Sequence, residues 1–347
     1  MMLGDLIITR YPSQHYRTLF NKRTGFFVRK EDAGYEEPFW SMSGPELLDI
    51  SITNYCEKGC AFCYRQSNHH GKHMSMKDIT NLIQQAKEVG VLQIALGGGN
   101  PNQHPNFCEI LKLIHDSGIV PSYTTNGEGL NDDILKATAM NCGAMAVSVY
   151  PPFNKEYYDG LLQCISKYGI RCNLHMILKS DTIDTAIDWL QKPPAFFNKV
   201  NALIFLNYKP INTQYVTKDI VQEKLKNFFS AVSVCKIIKI GFDSCSISGL
   251  VQYMHIPNFL VESCEAARFS AFISEDLKMY PCSFMVGTNK YGDLKSNSMI
   301  DIWKNNDAFS DHRSKILNCN CNNCIHENLC MGGCPFLPNI NFCKKAR

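Results

Sequence analysis

Three cysteines fall close together in the segment Cys56-Glu-Lys-Gly-Cys60-Ala-Phe-Cys63 of this 347-residue chain. They follow an apolar run, residues 47–53, that is typical of a buried strand. A loop leaving such a strand can gather three thiolates on one face of a metal cluster. Three ligands on a four-iron cluster leave one iron free for a small molecule, whereas a structural metal site normally closes with a fourth ligand. The spacing therefore favours chemistry over scaffolding, with a zinc knuckle or three unrelated thiols as the alternatives.

The composition excludes several classes of protein. There are 35 basic and 32 acidic residues, a net charge of +3, so no global field points to nucleic acid or an anionic membrane. No apolar stretch approaches the roughly 20 residues of a membrane span, and the start of the chain does not resemble a secretory signal. Seventeen cysteines without such a signal are better explained as metal ligands than as disulfides. We therefore expect a cytoplasmic protein with no nucleic-acid or membrane partner.

The order of predicted elements indicates an α/β fold in three parts. Residues 1–46 form a small β-rich lead-in with strands at 6–9 and 25–28, residues 47–250 form the core, and residues 251–347 are loop-rich and dense in cysteine. Short strands and helices alternate in the core, which implies a parallel sheet, either an open doubly wound sheet or a partial barrel. Ligands bind such sheets at the carboxyl ends of the strands, where the cysteine loop is expected. The predicted strands are 47–53, 93–96, 121–125, 145–149, 172–178 and 202–206, and the predicted helices are 76–89, 107–117, 132–140, 157–168 and 182–190.

The cysteine motif, with Phe62 before its last cysteine and a βα repeat around it, resembles that of the radical S-adenosylmethionine (SAM) enzymes. The resemblance implies a partial (β/α)6 TIM-like barrel over the core. It implies a [4Fe–4S] cluster on Cys56, Cys60 and Cys63, with SAM on the fourth iron. One-electron reduction, from a donor such as flavodoxin or ferredoxin, would cleave SAM to a 5′-deoxyadenosyl radical that abstracts a substrate hydrogen. The protein would supply ligands and orientation, and the cofactors the chemistry.

Several further segments resemble the SAM pocket of this family. The run Gly97-Gly98-Gly99-Asn100 follows the second strand, and Asn100 stands where the family usually has an acid near the SAM amino group. The segment at Asn126 could equally be an ordinary turn. Asn173 and His175 alternate along the fifth strand and so share a face, although a strand histidine is often a core residue. Cofactor binding is predicted for Phe62, Gly97, Gly98, Gly99, Asn100, Asn126, Ser148, Asn173 and His175.

A second group of cysteines lies near the C-terminus, in the pattern Cys321-x2-Cys324-x5-Cys330-x3-Cys334 followed by Cys343. Alone, this pattern could be a zinc ribbon. Together with the upstream Cys264 and Cys282 it resembles the SPASM extension, which carries two auxiliary [4Fe–4S] clusters. The resemblance assigns the first cluster to Cys264, Cys282 and Cys334, and the second to Cys321, Cys324, Cys330 and Cys343.

Two positions depart from the SPASM pattern. Leu277 stands where the family usually has glycine, and no cysteine lies between Cys264 and Cys282, where Ser270 occurs near the usual fourth ligand. The first auxiliary cluster is therefore expected to have an open iron, a ligand other than cysteine, or Cys319 recruited from nearby.

The remaining cysteines are expected to be small buried hydrophobes. They are Cys108, Cys142, Cys164, Cys172, Cys235 and Cys245. Cys235 and Cys245 are also candidate hydrogen-atom donors to a substrate radical. Tyr64 is a further catalytic candidate because it and Arg65 follow the cysteine motif and could close over it, with a solvated loop as the alternative for Arg65.

The favoured function is radical modification of a peptide or protein, as in maturases that cross-link, epimerise or oxidise a ribosomally made peptide. Oxidation or rearrangement of a small molecule is the second interpretation. A non-catalytic iron–sulfur electron carrier or binding protein is the third; Asn100 favours it and the intact cysteine triad opposes it. The lead-in is short for a leader-binding module, so a separate partner, or strand addition to residues 1–46, is expected to capture the peptide.

Overall fold

The computed structural model describes residues 5–210, 220–319, 321 and 323–343. The chain begins with a three-stranded antiparallel sheet in the order β1-β2-β3, formed by Leu6–Tyr11, Tyr16–Asn21 and Phe27–Glu31. Leu6 pairs with Asn21, and Phe20 pairs with Phe27. The expected β-rich lead-in is therefore confirmed, and its middle strand, β2, is one that the sequence did not predict.

Parallel strands alternating with helices form the core. In the described part of the core these strands are β4 (Leu47–Thr53), β5 (Gln93–Gly98), β6 (Val120–Thr125), β7 (Ala144–Val149), β8 (Cys172–Leu178), β9 (Ala202–Asn207) and β10 (Lys239–Phe242). The helices are α1 (Met76–Glu88), α2 (Phe107–Asp116), α3 (Asp132–Asn141), α4 (Lys155–Ser166), α5 (Ile183–Gln191), α6 (Gln222–Val234) and α7 (Ile247–Tyr253). The predicted α/β architecture and its six strands are confirmed, and the short β10 adds another strand beyond β9.

The C-terminal region extends the same sheet. Its strands are β11 (Ser270–Ile273), β12 (Lys278–Tyr280) and β13 (Gly292–Asp293), and its helices are α8 (Met299–Asn305), α9 (Asp307–Leu317) and α10 (Glu327–Cys330). β11 runs parallel to β4, with Ser270 opposite Leu47, and β12 and β13 follow antiparallel. The full order is β10-β9-β8-β7-β6-β5-β4-β11-β12-β13. The domain boundaries expected near residues 46 and 250 stay predictions.

Local sequence explains why these elements form. Ser75 precedes α1 as its N-cap, and its side chain accepts a hydrogen bond from the backbone N–H of Asp78. The buried residues Ile79, Leu82, Ile83 and Ala86 of α1 recur at helical spacing and face the sheet.

Within the described residues no helix is long and apolar enough to span a bilayer.

A buried charge network fixes the lead-in to the rest of the molecule. Arg29 on β3 is 6% exposed and donates from Nε to Glu46 (2.7 Å) and from Nη2 to Glu265 (2.6 Å). Its guanidinium also stacks over the ring of Phe269, 3.7 Å from the centroid. The N-terminal sheet is thus fastened to the segments that precede β4 and β11.

Candidate active site

A cavity of about 490 Å³ opens at the carboxyl ends of the parallel strands. Cys56, Cys60 and Cys63 line one part of it, and Cys264 and Cys282 line another. Two cysteine groups that lie some 200 residues apart in sequence therefore meet at one cavity, on the side of the sheet where parallel αβ folds bind their ligands. The site residues predicted from sequence that line this cavity are Cys56, Cys60, Phe62, Cys63, Tyr64, Gly97, Gly98, Gly99, Asn126, Ser148, His175, Cys245, Cys264 and Cys282.

The glycine run after β5 determines how closely the strand end approaches the cysteine loop. A Cβ atom on Gly99 would lie 1.9 Å from the carbonyl oxygen of Tyr55, and one on Gly98 would lie 2.1 Å from that of Thr53. Both distances are sterically forbidden, and Gly98 also has a φ of +112°. Gly97, by contrast, meets no neighbour within 4 Å. Gly98 and Gly99 therefore hold the base of the cysteine loop, and Gly97 leaves open space in the cavity.

Asn126 connects the end of β6 to the cysteine motif. Its Nδ2 donates to the Sγ of Cys56 at 3.5 Å, and Cys56 is nearly buried. A hydrogen bond to a thiolate stabilises the negative charge on sulfur, and such bonds tune iron–sulfur clusters. The turn at Asn126 and Gly127 thus also brings a hydrogen-bond donor to Cys56, a predicted ligand of the cluster.

The structure places Asn100 behind the cavity wall. Its Oδ1 accepts hydrogen bonds from the hydroxyl of Thr125 (3.0 Å) and the backbone N–H of Asn126 (3.2 Å), and its Nδ2 donates to the carbonyl of Glu128 (2.9 Å). Asn100 is 1% exposed and is not among the residues that line the cavity. Asn100 therefore positions Asn126 through these hydrogen bonds. Direct contact between Asn100 and SAM stays a prediction, and the contacts of its side chain do not support it.

His175 and Asn173 share one face of β8, as the alternation predicted, but only His175 reaches the cavity. The Nδ1 of His175 lies 3.4 Å from the hydroxyl of Thr124, and burial lowers the pKa of His175 to about 4. Asn173 instead accepts a hydrogen bond from Asn201 at 2.8 Å. His175 is therefore a neutral polar group in the cavity wall, whereas Asn173 is half-buried near the beginning of β8, outside the cavity.

Aromatic side chains form much of the wall around the motif. The ring of Phe62 lies 5.4 Å from that of Tyr150, and Tyr64 lies 4.5 Å from Phe284. Desolvation at the cavity wall raises the pKa of Tyr64, which keeps its phenol protonated. Ser148 on β7 also faces the cavity.

The alternative of a solvated loop for Arg65 is wrong. Arg65 is 7% exposed, and its Nη2 donates to the Oε2 of Glu275 at 2.6 Å. The hydroxyl of Ser51 on β4 donates to the same oxygen at 2.9 Å. Arg65 therefore joins the cysteine loop to the turn between β11 and β12.

Three charged residues of the cavity were missed in the sequence. Lys209 follows β9 and pairs with Asp243, which follows β10, at 3.0 Å, and Asp49 projects from the middle of β4. Desolvation inside the cavity raises the pKa of Asp49 to about 6, with Lys209 opposing the shift. Charged residues at the carboxyl ends of strands, and an acid inside an apolar strand, were the signals that could have identified them.

The C-terminal cysteines separate into two groups. Cys321 and Cys330 influence each other and also Cys324 and Cys343 electrostatically, as the predicted second set requires. Cys319 lies within hydrogen-bonding reach of Cys321, so it belongs with this second group. Recruitment of Cys319 to the first auxiliary set is therefore not what the structure shows.

The three residues predicted as catalytic candidates do not all lie at the cavity. Cys245 and Tyr64 line the cavity, whereas Cys235 lies at the end of α6 and lines a different surface pocket. Cys235 is thus badly placed to donate a hydrogen atom to a substrate held in the cavity.

Several of the predicted ligand thiols, among them Cys264 and Cys330, are buried. Burial raises the pKa of Cys282 to about 12 and that of Cys330 to about 12, so these groups would ionise only beside a cation. In the described ranges, no three His, Cys, Asp or Glu side chains form a group that could hold a single metal ion. A four-iron cluster does not require three side chains around one metal ion, because each thiolate binds a different iron. Gathered soft donors in a buried setting therefore fit clusters.

Comparison with known families identifies the class. The model of the radical SAM superfamily matches residues 50–191, and the model of the SPASM iron–sulfur cluster-binding domain matches residues 264–325. The chain is a member of the radical SAM superfamily. More particularly, it is a radical SAM protein with a C-terminal SPASM domain, which implies a [4Fe–4S] cluster with SAM and auxiliary iron–sulfur clusters.

Solved structures share this fold. SuiB of Streptococcus suis bound to its precursor peptide SuiA superimposes with a TM-score of 0.75 at 15% identity, covering 95% of this chain and 94% of that chain. Native anSMEcpe with bound AdoMet and the Cp18Cys peptide gives a TM-score of 0.64 at 17% identity, covering 85% and 90%. At these identities the likeness concerns the fold.

Curated relatives match over shorter segments. The PqqA peptide cyclase of Ruegeria pomeroyi is 28% identical over 115 residues, which are 32% of this chain and 31% of that protein. A probable GTP 3′,8-cyclase of Methanocaldococcus jannaschii is 35% identical over 125 residues, 35% and 40% of the two chains. One of Pyrococcus abyssi is 31% identical over 173 residues, 46% and 55%. The match thus spans about a third to about half of these relatives.

Proposed function

We propose that this chain is a radical SAM enzyme that modifies a peptide or protein. The observation that carries the proposal is the cavity bordered by the two cysteine groups. Cys56, Cys60 and Cys63 would hold the cluster that binds SAM, and Cys264, Cys282 and Cys334 would hold the first auxiliary cluster. A substrate in the cavity would then lie between the two.

The cofactors, when bound, supply reductive cleavage of SAM and removal of a hydrogen atom from the substrate. The residues of the chain orient the cysteine loop and shield the reacting groups from water. Asn126 donates to Cys56, and Gly98 and Gly99 fix the loop against β5. Phe62, Tyr64 and Phe284 supply apolar surface that excludes water from the reacting groups.

The charges of the cavity favour a peptide over a nucleotide. Lys209 is the one Lys or Arg among the described residues that line it, and its ammonium is already paired with Asp243. Asp49 adds a further acid. A triphosphate is normally bound by several Lys or Arg side chains or a metal ion. A paired lysine and uncharged polar groups suit the amides and side chains of a peptide.

The first experiment measures iron, labile sulfide and SAM cleavage on anaerobically purified protein. We expect about twelve irons per chain for three clusters, and 5′-deoxyadenosine after reduction with dithionite. Joint replacement of Cys56, Cys60 and Cys63 by Ala should remove about four irons and abolish cleavage. The matched control replaces Cys108, Cys142 and Cys164, which lie outside the cavity, and should change neither. Unchanged cleavage in the first variant would contradict the assignment.

A second experiment addresses the substrate. Candidate peptides encoded beside the gene, and GTP, are added separately, and 5′-deoxyadenosine formation and mass changes are followed. Stimulation with a mass change in a peptide supports the proposal. A mass change in GTP would favour the alternative, a small-molecule reaction, which the segmental similarity to probable GTP 3′,8-cyclases suggests. Absence of SAM cleavage would leave the non-catalytic interpretation.

The remaining partners stay proposals. A small reductant protein such as flavodoxin or ferredoxin would supply the electron. The N-terminal sheet offers β1 as an edge strand that pairs only with β2 in the described residues, and its Ile8 is 55% exposed. A peptide could add to this edge as a further strand, or a separate leader-binding protein could deliver it.

A further inference from the structure

Cys245 lies with the cysteines of the first auxiliary set, far from where the sequence pattern places a ligand. It follows β10 in a short 3-10 turn, Ser244–Ser246, and lines the cavity beside Cys264 and Cys282. Its thiol is within hydrogen-bonding reach of Cys334 and interacts electrostatically with Cys264 and Cys282. Four thiols that come from separate segments of the chain therefore gather at one place.

The position of Cys245 is fixed by the backbone around it. Asn207 at the end of β9 donates from Nδ2 to the carbonyl oxygens of Cys245 (3.1 Å) and Ile340 (3.0 Å). The backbone N–H of Phe342 donates to the hydroxyl of Ser248 at 2.9 Å. Asn207 thus bridges the turn that carries Cys245 to the segment after Cys334, and Phe342 of that segment is bound to the start of α7.

The neighbouring groups suit a thiolate. The ammonium of Lys209, held 3.0 Å from Asp243, lines the same cavity as Cys245. The backbone N–H of Leu337 donates to the Sγ of Cys334 at 3.2 Å. A cation and a backbone donor are typical surroundings of sulfur ligands in iron–sulfur sites.

We propose that Cys245 is the fourth protein ligand of the first auxiliary cluster, completing the set of Cys264, Cys282 and Cys334. This inference rests on the proposed function, which places a cluster on those three residues. It replaces Cys319, which lies with the second group, and removes the need for an open iron. It also removes Cys245 from the hydrogen-atom donors, since a ligating thiolate carries no S–H.

The test reads the fourth iron position directly. The probe is ¹³C-labelled cyanide, added with excess SAM to the reduced holoenzyme so that the free iron of the first cluster is blocked. Coupling of ¹³C to the clusters is followed by electron paramagnetic resonance methods. We expect no coupling in the wild type and clear coupling in Cys245→Ala, with the iron content of the variant unchanged. Cys235→Ala, outside the cavity, is the matched control and should behave as the wild type.

Cyanide coupling in the wild type would overturn the proposal, because it would reveal an open auxiliary iron. A Cys245→Ala protein with the spectrum and cyanide response of the wild type would overturn it as well. Should Cys245→Ala lose the auxiliary cluster, Cys245→Ser is tested instead, because its hydroxyl supplies an oxygen ligand. A signal of the auxiliary cluster that is shifted in Cys245→Ser relative to the wild type supports the proposal. The failure of the proposed function is distinct: a wild type with only about four irons, or without SAM cleavage, refutes the three-cluster enzyme itself.

Discussion

The Nη2 atom of Arg65 donates to the Oε2 of Glu275 at 2.6 Å, with side-chain exposures of 3% and 18%. The contact joins the loop of the first cysteine motif to the β11–β12 turn of the SPASM region. Ser51 donates to the same carboxylate, so Glu275 links three segments. The two halves of the cavity are therefore held together by a buried ion pair.

Loss of this ion pair should be costly. We expect Glu275→Ala to lower the free energy of unfolding by about 3–5 kcal/mol, since it leaves a buried guanidinium without its partner. Anaerobic urea denaturation measures the change. The control is Asp311→Ala, which removes the partner of exposed Lys290 and should cost far less, because a solvated ion pair contributes little. Equal effects of the two substitutions would mean that Arg65 finds another partner.

The hydrogen bond from Asn126 to Cys56 should tune the cluster that the motif holds. Asn126→Ala removes a donor to a thiolate, so the cluster should become harder to reduce, by roughly 20–60 mV for a bond worth about 0.5–1.5 kcal/mol. A potentiometric titration monitored by electron paramagnetic resonance gives the value. Asn106→Ala on the surface serves as control, and a potential that stays the same in Asn126→Ala would exclude this role.

The close approach of Gly99 to Tyr55 makes a further prediction. Gly99→Ala would push the cysteine loop away from β5, because the new Cβ meets a backbone oxygen at 1.9 Å. We expect loss of about four irons per chain and of SAM cleavage. Gly160→Ala is the matched control: a Cβ on Gly160, in α4, would meet no atom within 4 Å outside its own stretch of helix, so alanine should raise the free energy of unfolding by up to about 1 kcal/mol. Full iron content in Gly99→Ala would show that the loop can shift.

Acid sensitivity should come partly from His312 on α9. It is 3% exposed, its Nε2 has no hydrogen-bond partner among the described residues, and burial together with Lys315 and Arg313 lowers its pKa to about 4. Because the unfolded chain binds the proton near pH 6.5, this stabilisation is complete above that pH and is lost as pH falls towards 4. At pH 5.5 the loss is about 1.4 kcal/mol.

The measurement compares urea midpoints at pH 7.5 and 5.5 for the wild type and His312→Gln. Between pH 7.5 and 5.5, the free energy of unfolding of His312→Gln should fall by about 1.4 kcal/mol less than that of the wild type. His255→Gln, at an exposed position, should keep the acid response of the wild type. Identical acid responses in the wild type and His312→Gln would rule out this histidine.

Local patterns in the sequence were enough to predict the core of the fold. Most of the strands from β4 to β9 are short segments rich in apolar residues, and the buried residues of α1 recur at helical spacing, so both could be recognised from the local sequence. β10 was missed because it has only four residues, Lys239–Phe242. β2 was missed because Tyr16–Asn21 mixes polar and apolar residues in a strand that other strands flank on both sides.

The site was only partly predictable, because tertiary contacts decide which side chains share the cavity. Cys245 and Cys235 look alike in sequence, yet only the former meets the other thiols. Asn100 fills the place of a family acid, but its side chain is engaged behind the wall. Leu277, which replaces a family glycine, keeps a left-handed backbone with φ of 66°, so the turn survives despite the strain of a side chain there.

The pairing of β11 with β4 has a consequence for how this chain can be divided. The strand that leads into the cysteine loop has β5 on one side and a strand of the SPASM region on the other. A fragment that ends before β11 would present β4 as a bare edge, with its backbone donors and acceptors open to another molecule. Such a fragment should self-associate before it could be assayed, so the catalytic half and the auxiliary half are best regarded as a single folding unit.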